Sequence, residues 1–370
     1  MNILHAKYVL LHKTIRTTKT ENQVLKLHSM NIRNLCTLFF SIVVLTQAGC
    51  DADNRNENEN REIAVVTEDS TLHIPVEKKK LTQEDITLKK DLQYTQYTLD
   101  DEYPYQDTIR RFQWEKIKRE IARVENAVAG GGFWGVLSNY KNKNGEAPTI
   151  KDFVRNDYGR VSDQHGVERY QSVPLYGMDE DTTLVRYGRD GWLVKINGSD
   201  TTDFLSVTGV SMEGTFLLPR RYLISWGNSI LLDKVVAVDV TNQNIAVLEK
   251  NGEAWHILSM NPATSGIHKP PHAHETPTGI FAIQEKKEKM LYVKDGTSEI
   301  AGYAPYASRF TNGAYIHGVP VQYPRKNIIE YSPSLGTTPR SHMCVRNASS
   351  HAKFVYEWAT VRQSVVIVID

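Results

Sequence analysis

The chain has 370 residues, 44 Lys and Arg against 43 Asp and Glu, and 40% hydrophobic residues. That length accommodates two or three domains, and the hydrophobic share supplies ordinary soluble cores. The near-neutral balance excludes a basic face large enough to hold nucleic acid.

Near the start, Leu35 to Leu45 forms an apolar stretch preceded by Arg33. It is shorter than the roughly 20 residues that span a bilayer, and it has the length of a signal-peptide core. Ala48 and Gly49 before Cys50 resemble a bacterial lipoprotein cleavage box, although Gln47 departs from it. The resemblance implies export, lipidation of Cys50 and a lipid anchor in a bacterial membrane, with the body on the periplasmic face; a membrane-spanning anchor is the alternative. Residues 1–49 are thus expected as a signal region, with Met30 a candidate true start because a signal core normally lies close to the N-terminus. Removing 1–49 takes out six basic residues and one acidic residue, which turns the balance slightly negative.

Residues 50–81 read as a polar tether, being Asn-, Glu- and Asp-rich up to Glu62 and ending near Lys78, Lys79 and Lys80. A helical module is expected over 82–165. Thr82 and Asp85 can close a capping box, and Ile109, Phe112, Ile117, Ile121, Val124 and Val128 fall on one helix face before Gly130-Gly131-Gly132 ends it. After Gly166 the texture changes to short alternating runs, such as Gly191 to Ile196, which read as strands joined by tight turns. Residues 166–231 resemble a bacterial SH3-like barrel, with a β-rich linker domain as the alternative. From Asp233 the strands become regular. Lys250-Asn251-Gly252 sits where a hairpin turn belongs, and Val365 to Ile369 reads as a central strand.

Cys344, within Ser341-His342-Met343-Cys344-Val345-Arg346-Asn347, is the one cysteine that remains once the signal region and Cys50 are set aside. An unpaired thiol in an exported chain is either a nucleophile or a small buried apolar residue. Beside His342 and Arg346 it could be held partly as thiolate.

Three pieces in order carry a family resemblance: Ser265-Gly266 with Glu275-Thr276-Pro277-Thr278-Gly279-Ile280-Phe281; Ala304 to Phe310 leading into Tyr315-Ile316-His317-Gly318; and the segment around Cys344. Together they resemble the catalytic domain of the bacterial L,D-transpeptidases over residues 232–370. The resemblance implies an α+β, mainly β catalytic domain with a β-sandwich-like fold, preceded by the small β-barrel-like domain and the helical module. It implies Cys344 as nucleophile, His317 as base oriented by the Gly318 carbonyl, and His342 as an orienting or oxyanion-supporting group, with a structural hydrogen bond as its alternative. The amides of Met343 and Cys344 would face the oxyanion. Arg346, Tyr306, Met343, Asn347 and Thr278 are the expected substrate-binding positions, with Phe310 beside Tyr306 or packed in the core.

Peptidoglycan stem peptides are the implied substrates, carbapenems the implied inhibitors, and no cofactor or metal is needed. Two departures stand out: Met343 occupies a position where the family usually has Gly, and the stretch from His317 to Ser341 is lengthened. An L,D-carboxypeptidase and a catalytically decayed wall-binding lipoprotein are the competing functions. His268, His272 and His274 form a cluster that either binds zinc or flanks the site as a loop.

Overall fold

The computed structural model describes residues 79–179, 183–198, 203–228 and 230–370; the signal region, Cys50 and the tether as far as Lys78 lie outside the described residues. Among the described residues the chain is mainly β, with two α-helices, Trp114–Ala129 (α1) and Ser349–Trp358 (α2).

A six-stranded sheet forms the centre. Its strands run in the order Thr87–Lys90, Ala254–Pro262, Asn244–Asn251, Lys234–Asp239, Ser364–Ile369 and Gly279–Ala282. Val235 and Ala237 point to one face and pack with Ile117, Ile121 and Val124 of α1. Val236 and Val238 point to the other and pack with Phe310, Ile316, Val345 and Val355. Both faces are therefore covered, which is why Lys234–Asp239 and Ser364–Ile369 are nearly continuous apolar runs. The expected hairpin forms at Gly252 (φ +61°), between Asn244–Asn251 and Ala254–Pro262.

The layer opposite α1 is a second sheet, in the order Glu285–Val293, Ile300–Thr311, Ala314–His317 and Val345–Arg346. The last pair is parallel, with Ile316 beside Val345 and His317 beside Arg346.

The segment 82–165 differs from the helical expectation. The capping box at Thr82 and Asp85 closes only the short 3-10 turn Gln83–Asp85. The chain then adds Thr87–Lys90, parallel, to the edge of the central sheet. Ile109 is 63% exposed, because Thr108–Arg111 pairs with Glu102–Tyr105 as a hairpin; the helix begins only at Trp114. Local periodicity fitted a longer helix, and cross-strand pairing overrode it.

Residues 133–137 then leave the helix and join a seven-stranded antiparallel sheet with strands from 172–227, in the order Leu223–Gly227, Phe133–Leu137, Leu193–Asn197, Phe204–Gly209, Thr215–Pro219, Ser172–Tyr176 and Leu184–Arg189. The expected boundary between 165 and 166 thus runs through material shared by one sheet. This sheet is joined to the central one at Gly191, whose carbonyl accepts from the Ala282 N–H (2.8 Å), and through a bridge between Trp192 and Phe281. Gly191 has φ +92°, and a Cβ there would lie 2.0 Å from the Phe310 carbonyl oxygen, so only glycine permits this approach.

Candidate active site

The parallel pairing of Ala314–His317 with Val345–Arg346 sets which side chains meet. Side chains alternate along each strand, and Ile316 and Val345 are buried in the core. Tyr315, His317, Cys344 and Arg346 therefore share the opposite face. All four line one cavity of about 1290 Å³. Cys344 sits beside Tyr315, with which it clusters, and Arg346 sits beside His317.

The strand carrying Cys344 is held from both sides. Thr264 exchanges two backbone hydrogen bonds with Arg346 (2.8 and 2.9 Å) on the side away from His317. The Ser341 hydroxyl donates to the Cys344 carbonyl. Thr276 ties the motifs together: its Oγ1 accepts from the Gly266 N–H (2.8 Å) and donates to the Met343 carbonyl (2.8 Å). Gly266 threads between these segments, since a Cβ there would come within 2.3 Å of the His274 carbonyl oxygen and 2.8 Å of the Met343 Cα.

His317 is 3% exposed and its Nδ1 lies 2.6 Å from the Gly318 carbonyl oxygen. A carbonyl only accepts, so this contact assigns the proton to Nδ1 and leaves the Nε2 lone pair free as a base. Burial, opposed by that hydrogen bond, pulls the imidazole pKa down to about 4. Gly318 donates its own N–H to the Pro305 carbonyl (2.9 Å), and a Cβ at 318 would come within 2.6 Å of the Ser349 hydroxyl. That fixes the carbonyl that orients the His317 imidazole.

Cys344 is 8% exposed and its thiol donates to the Gly313 carbonyl (3.5 Å). Burial pushes its pKa up, against the opposing pull of the Tyr315 amide and the Arg346 charge. The expectation of a partly ionised thiolate is corrected: desolvation outweighs the neighbouring cation, and the pair rests as neutral thiol and neutral imidazole.

Arg346 is mostly buried; desolvation lowers its pKa, and its Nε is a buried donor without a hydrogen-bond partner. A buried guanidinium left in that state favours an incoming anion. His342 lines the cavity rim half-exposed, with Nε2 3.0 Å from Asp295 Oδ2 at the tip of the Glu285–Val293/Ile300–Thr311 hairpin.

Other expected positions fall elsewhere. The Tyr306 ring packs 6.0 Å from the Tyr356 ring of α2, and its backbone at φ +53° breaks the strand alternation. Phe310 is fully buried against Phe281. Thr278 is exposed and outside the cavity lining, which its neighbour Thr276 serves only from behind. Asn347 is fully buried: its N–H bonds the His317 carbonyl (3.1 Å) and its amide nitrogen donates to His351 (3.0 Å), so it supports the base from beneath. Met343 packs its side chain on the core and holds φ +79°, the left-handed region that explains why glycine suits this position.

The lengthened stretch from His317 to Ser341 packs Val319 and Leu335 against Ala348 and brings Ser332, Ser334 and Leu335 to the cavity wall. His268 lies between Asp157 Oδ2 (3.2 Å) and Glu275, while His274 stacks on Tyr158 (3.7 Å). Among the described residues no group of three or more His, Cys, Asp or Glu is placed to hold a metal ion.

Sequence reasoning missed Tyr315, Gly313 and, from the preceding sheet, Tyr140 and Lys141, which also reach the cavity. No local pattern marks the last two, because only the docking of two sheets brings them there.

Residues 233–368 match the family model described as the YkuD L,D-transpeptidase catalytic domain. No curated protein matches the chain. Among solved structures, an L,D-transpeptidase from Mycobacterium smegmatis is 18% identical, over 48% of this chain and 82% of that one, at a TM-score of 0.31. One from Mycobacterium tuberculosis H37Rv is 16% identical over 50% and 92%, at 0.30. L,D-transpeptidase 3 from Mycobacterium tuberculosis, in complex with a faropenem-derived adduct, is 17% identical over 50% and 93%, at 0.31. Residues 233–368 of this chain are thus similar to the L,D-transpeptidase catalytic domain.

Proposed function

We propose that the protein is a peptidoglycan L,D-transpeptidase with Cys344 as nucleophile and His317 as base. His317 Nε2 takes the thiol proton as Sγ attacks the carbonyl of the third residue of a donor stem peptide, diaminopimelate in this reading. The C–N bond to the fourth residue breaks, and the imidazolium hands its proton to the departing D-alanine amine. An acceptor amine then gives a proton to His317, attacks the thioester and regenerates the thiol. The amides of Met343 and Cys344 receive the oxyanion; losing one such donor typically costs roughly 10²–10³ in rate. Arg346 holds a substrate carboxylate, and His342 orients the rim through Asp295.

What carries the reading is the shared face of Cys344 and His317 in one cavity, with Nδ1 committed to Gly318 and Nε2 left free. The volume of about 1290 Å³ exceeds that of an ordinary single-ligand pocket, roughly 300–1,000 Å³. That room favours a peptide acceptor beside the donor over water alone, and so transpeptidation over L,D-carboxypeptidation. Incubation of the protein with a disaccharide-tetrapeptide tests this. Cross-linked dimer is the expected product, and tripeptide alone would instead make the protein a carboxypeptidase. In the same reading carbapenems acylate Cys344, and the enzyme works outside the cytoplasmic membrane on a lipid anchor at Cys50.

A further inference from the structure

Along the paired strands the cavity has two ends. Arg346 lies beside His317 at one end, and Tyr315 lies beside Cys344 towards the other. Beyond Tyr315 the wall is built by the turn at Tyr140–Asn142, which follows the strand Phe133–Leu137 of the seven-stranded sheet and lies outside the segment 233–368.

This turn is rigidly made. The N–H groups of Asn139 and Tyr140 donate to Asp190 Oδ1 (2.9 and 3.1 Å), that of Lys141 to Gln171 Oε1 (2.8 Å), and that of Asn142 to the Asn139 carbonyl (2.8 Å). Asp190 Oδ2 simultaneously accepts from Arg309 Nη1 (2.6 Å) and from the Asn312 N–H (3.0 Å), next to Gly313, the residue whose carbonyl receives the Cys344 thiol. One fully buried carboxylate thus locks the turn to the floor of the catalytic cavity. The Arg309 guanidinium stacks on the Tyr140 ring (4.6 Å) and completes the joint.

Lys141 is held at φ +57° and Asn142 at φ +52°, left-handed backbone that costs energy for residues other than glycine and persists where surroundings impose it. What that backbone achieves is to present the Lys141 side chain at the cavity. Among the described residues no carboxylate lies within salt-bridge distance of its ammonium. Lys287 nearby is paired with Glu285 (3.2 Å), whereas the Lys141 ammonium rests only over the Tyr140 ring (5.4 Å) and that of Lys289, further along the same wall, only over the Tyr303 ring (5.4 Å); Lys141 is thus a cation at this end with no carboxylate partner, as Arg346 is at the other.

We propose that Lys141 is a specificity-determining residue: it binds a second carboxylate of the peptide substrate, on the side of Cys344 opposite Arg346. The sheet preceding the catalytic segment is then part of the active site, and the substrate is a peptide bearing anionic groups on both sides of the reacting carbonyl. This rests on the transpeptidase reading.

The test uses the full chain carrying Cys344→Ala, to prevent turnover, and a stem tetrapeptide with all carboxylates free or with one amidated at a time. Binding is followed by calorimetry. Adding Lys141→Met is expected to weaken the free-acid peptide about five-fold, as for a solvent-exposed ion pair, and to leave unchanged the one amidated form that lacks the carboxylate Lys141 reads. Lys141→Arg should restore the parent affinity. Weakening of every peptide form equally, or of none, with an unchanged melting temperature, would overturn the subsite. Acylation of wild-type Cys344 by the same tetrapeptide separates the two claims. Acylation together with affinity indifferent to Lys141 leaves the transpeptidase standing and removes the subsite; no acylation and no binding overturns both.

Discussion

Asp190→Asn is the sharpest single perturbation of this architecture. Asp190 is fully buried and every partner of its carboxylate is a donor: the amides of Asn139, Tyr140 and Asn312, the Gln284 side-chain nitrogen (3.0 Å) and the Arg309 guanidinium, whose side chain is 6% exposed. Asparagine places an N–H among those donors and strips the closer of the two charges that balance Arg309, leaving only Glu285 at 3.4 Å. Breaking a buried ion pair by neutralising one partner costs roughly 3–5 kcal/mol, and for a body of this size that corresponds to a fall in melting temperature of roughly 10 °C. Calorimetry and urea unfolding measure it. The double variant Asp190→Asn with Arg309→Met keeps an acceptor oxygen for the turn amides while removing the under-compensated cation, and should recover part of the loss. An Asp190→Asn protein melting within about 2 °C of wild type would refute the claim that this carboxylate joins the two sheets.

Four further outcomes follow from the site. With His317 depressed to about 4 and the thiol raised, the acylation rate of Cys344 should be flat from about pH 5 to 8 and fall below that as His317 protonates; a limb centred near pH 7 would point instead to a thiolate–imidazolium pair. The same depression contributes stability that is complete above the unfolded value of 6.5 and is lost as pH falls towards 4, roughly 2 kcal/mol of it by pH 5, so urea midpoints should drop between pH 7 and 5. At Met343, φ +79° predicts that Met343→Gly is more stable than Met343→Ala by about 1 kcal/mol, the reverse of the order at ordinary backbone angles, as denaturant unfolding would read. Gly266→Ala should lose about 1–3 kcal/mol, also seen in unfolding, and slow Cys344 acylation, since its Cβ meets the backbone that positions Met343.

The catalytic half was the more legible part of the sequence. Strands such as Val365 to Ile369 announce themselves because both faces are covered, and Gly266, Gly318 and Met343 sit at positions where backbone geometry constrains the residue type. The N-terminal half was less so. The apolar spacing from Ile109 to Val128 fits a single helix, yet hairpin pairing took its first turn, a choice decided by partners distant in sequence. Tyr306 and Asn347 carry family motifs but point away from the cavity, one through a left-handed backbone angle and the other through burial against His351. Ionisation was misjudged for a related reason: neighbours in sequence suggested a thiolate, whereas burial, a property of the fold, sets the thiol higher.

Intact-mass analysis of the folded protein after exposure to a stem tetrapeptide or a carbapenem addresses the pairing of Cys344 with His317 most directly. A covalent adduct mapped to Cys344 in wild type, absent in Cys344→Ser and strongly slowed in His317→Ala, is the predicted result. An unmodified Cys344 in folded protein, or acylation indifferent to the loss of His317, would contradict it.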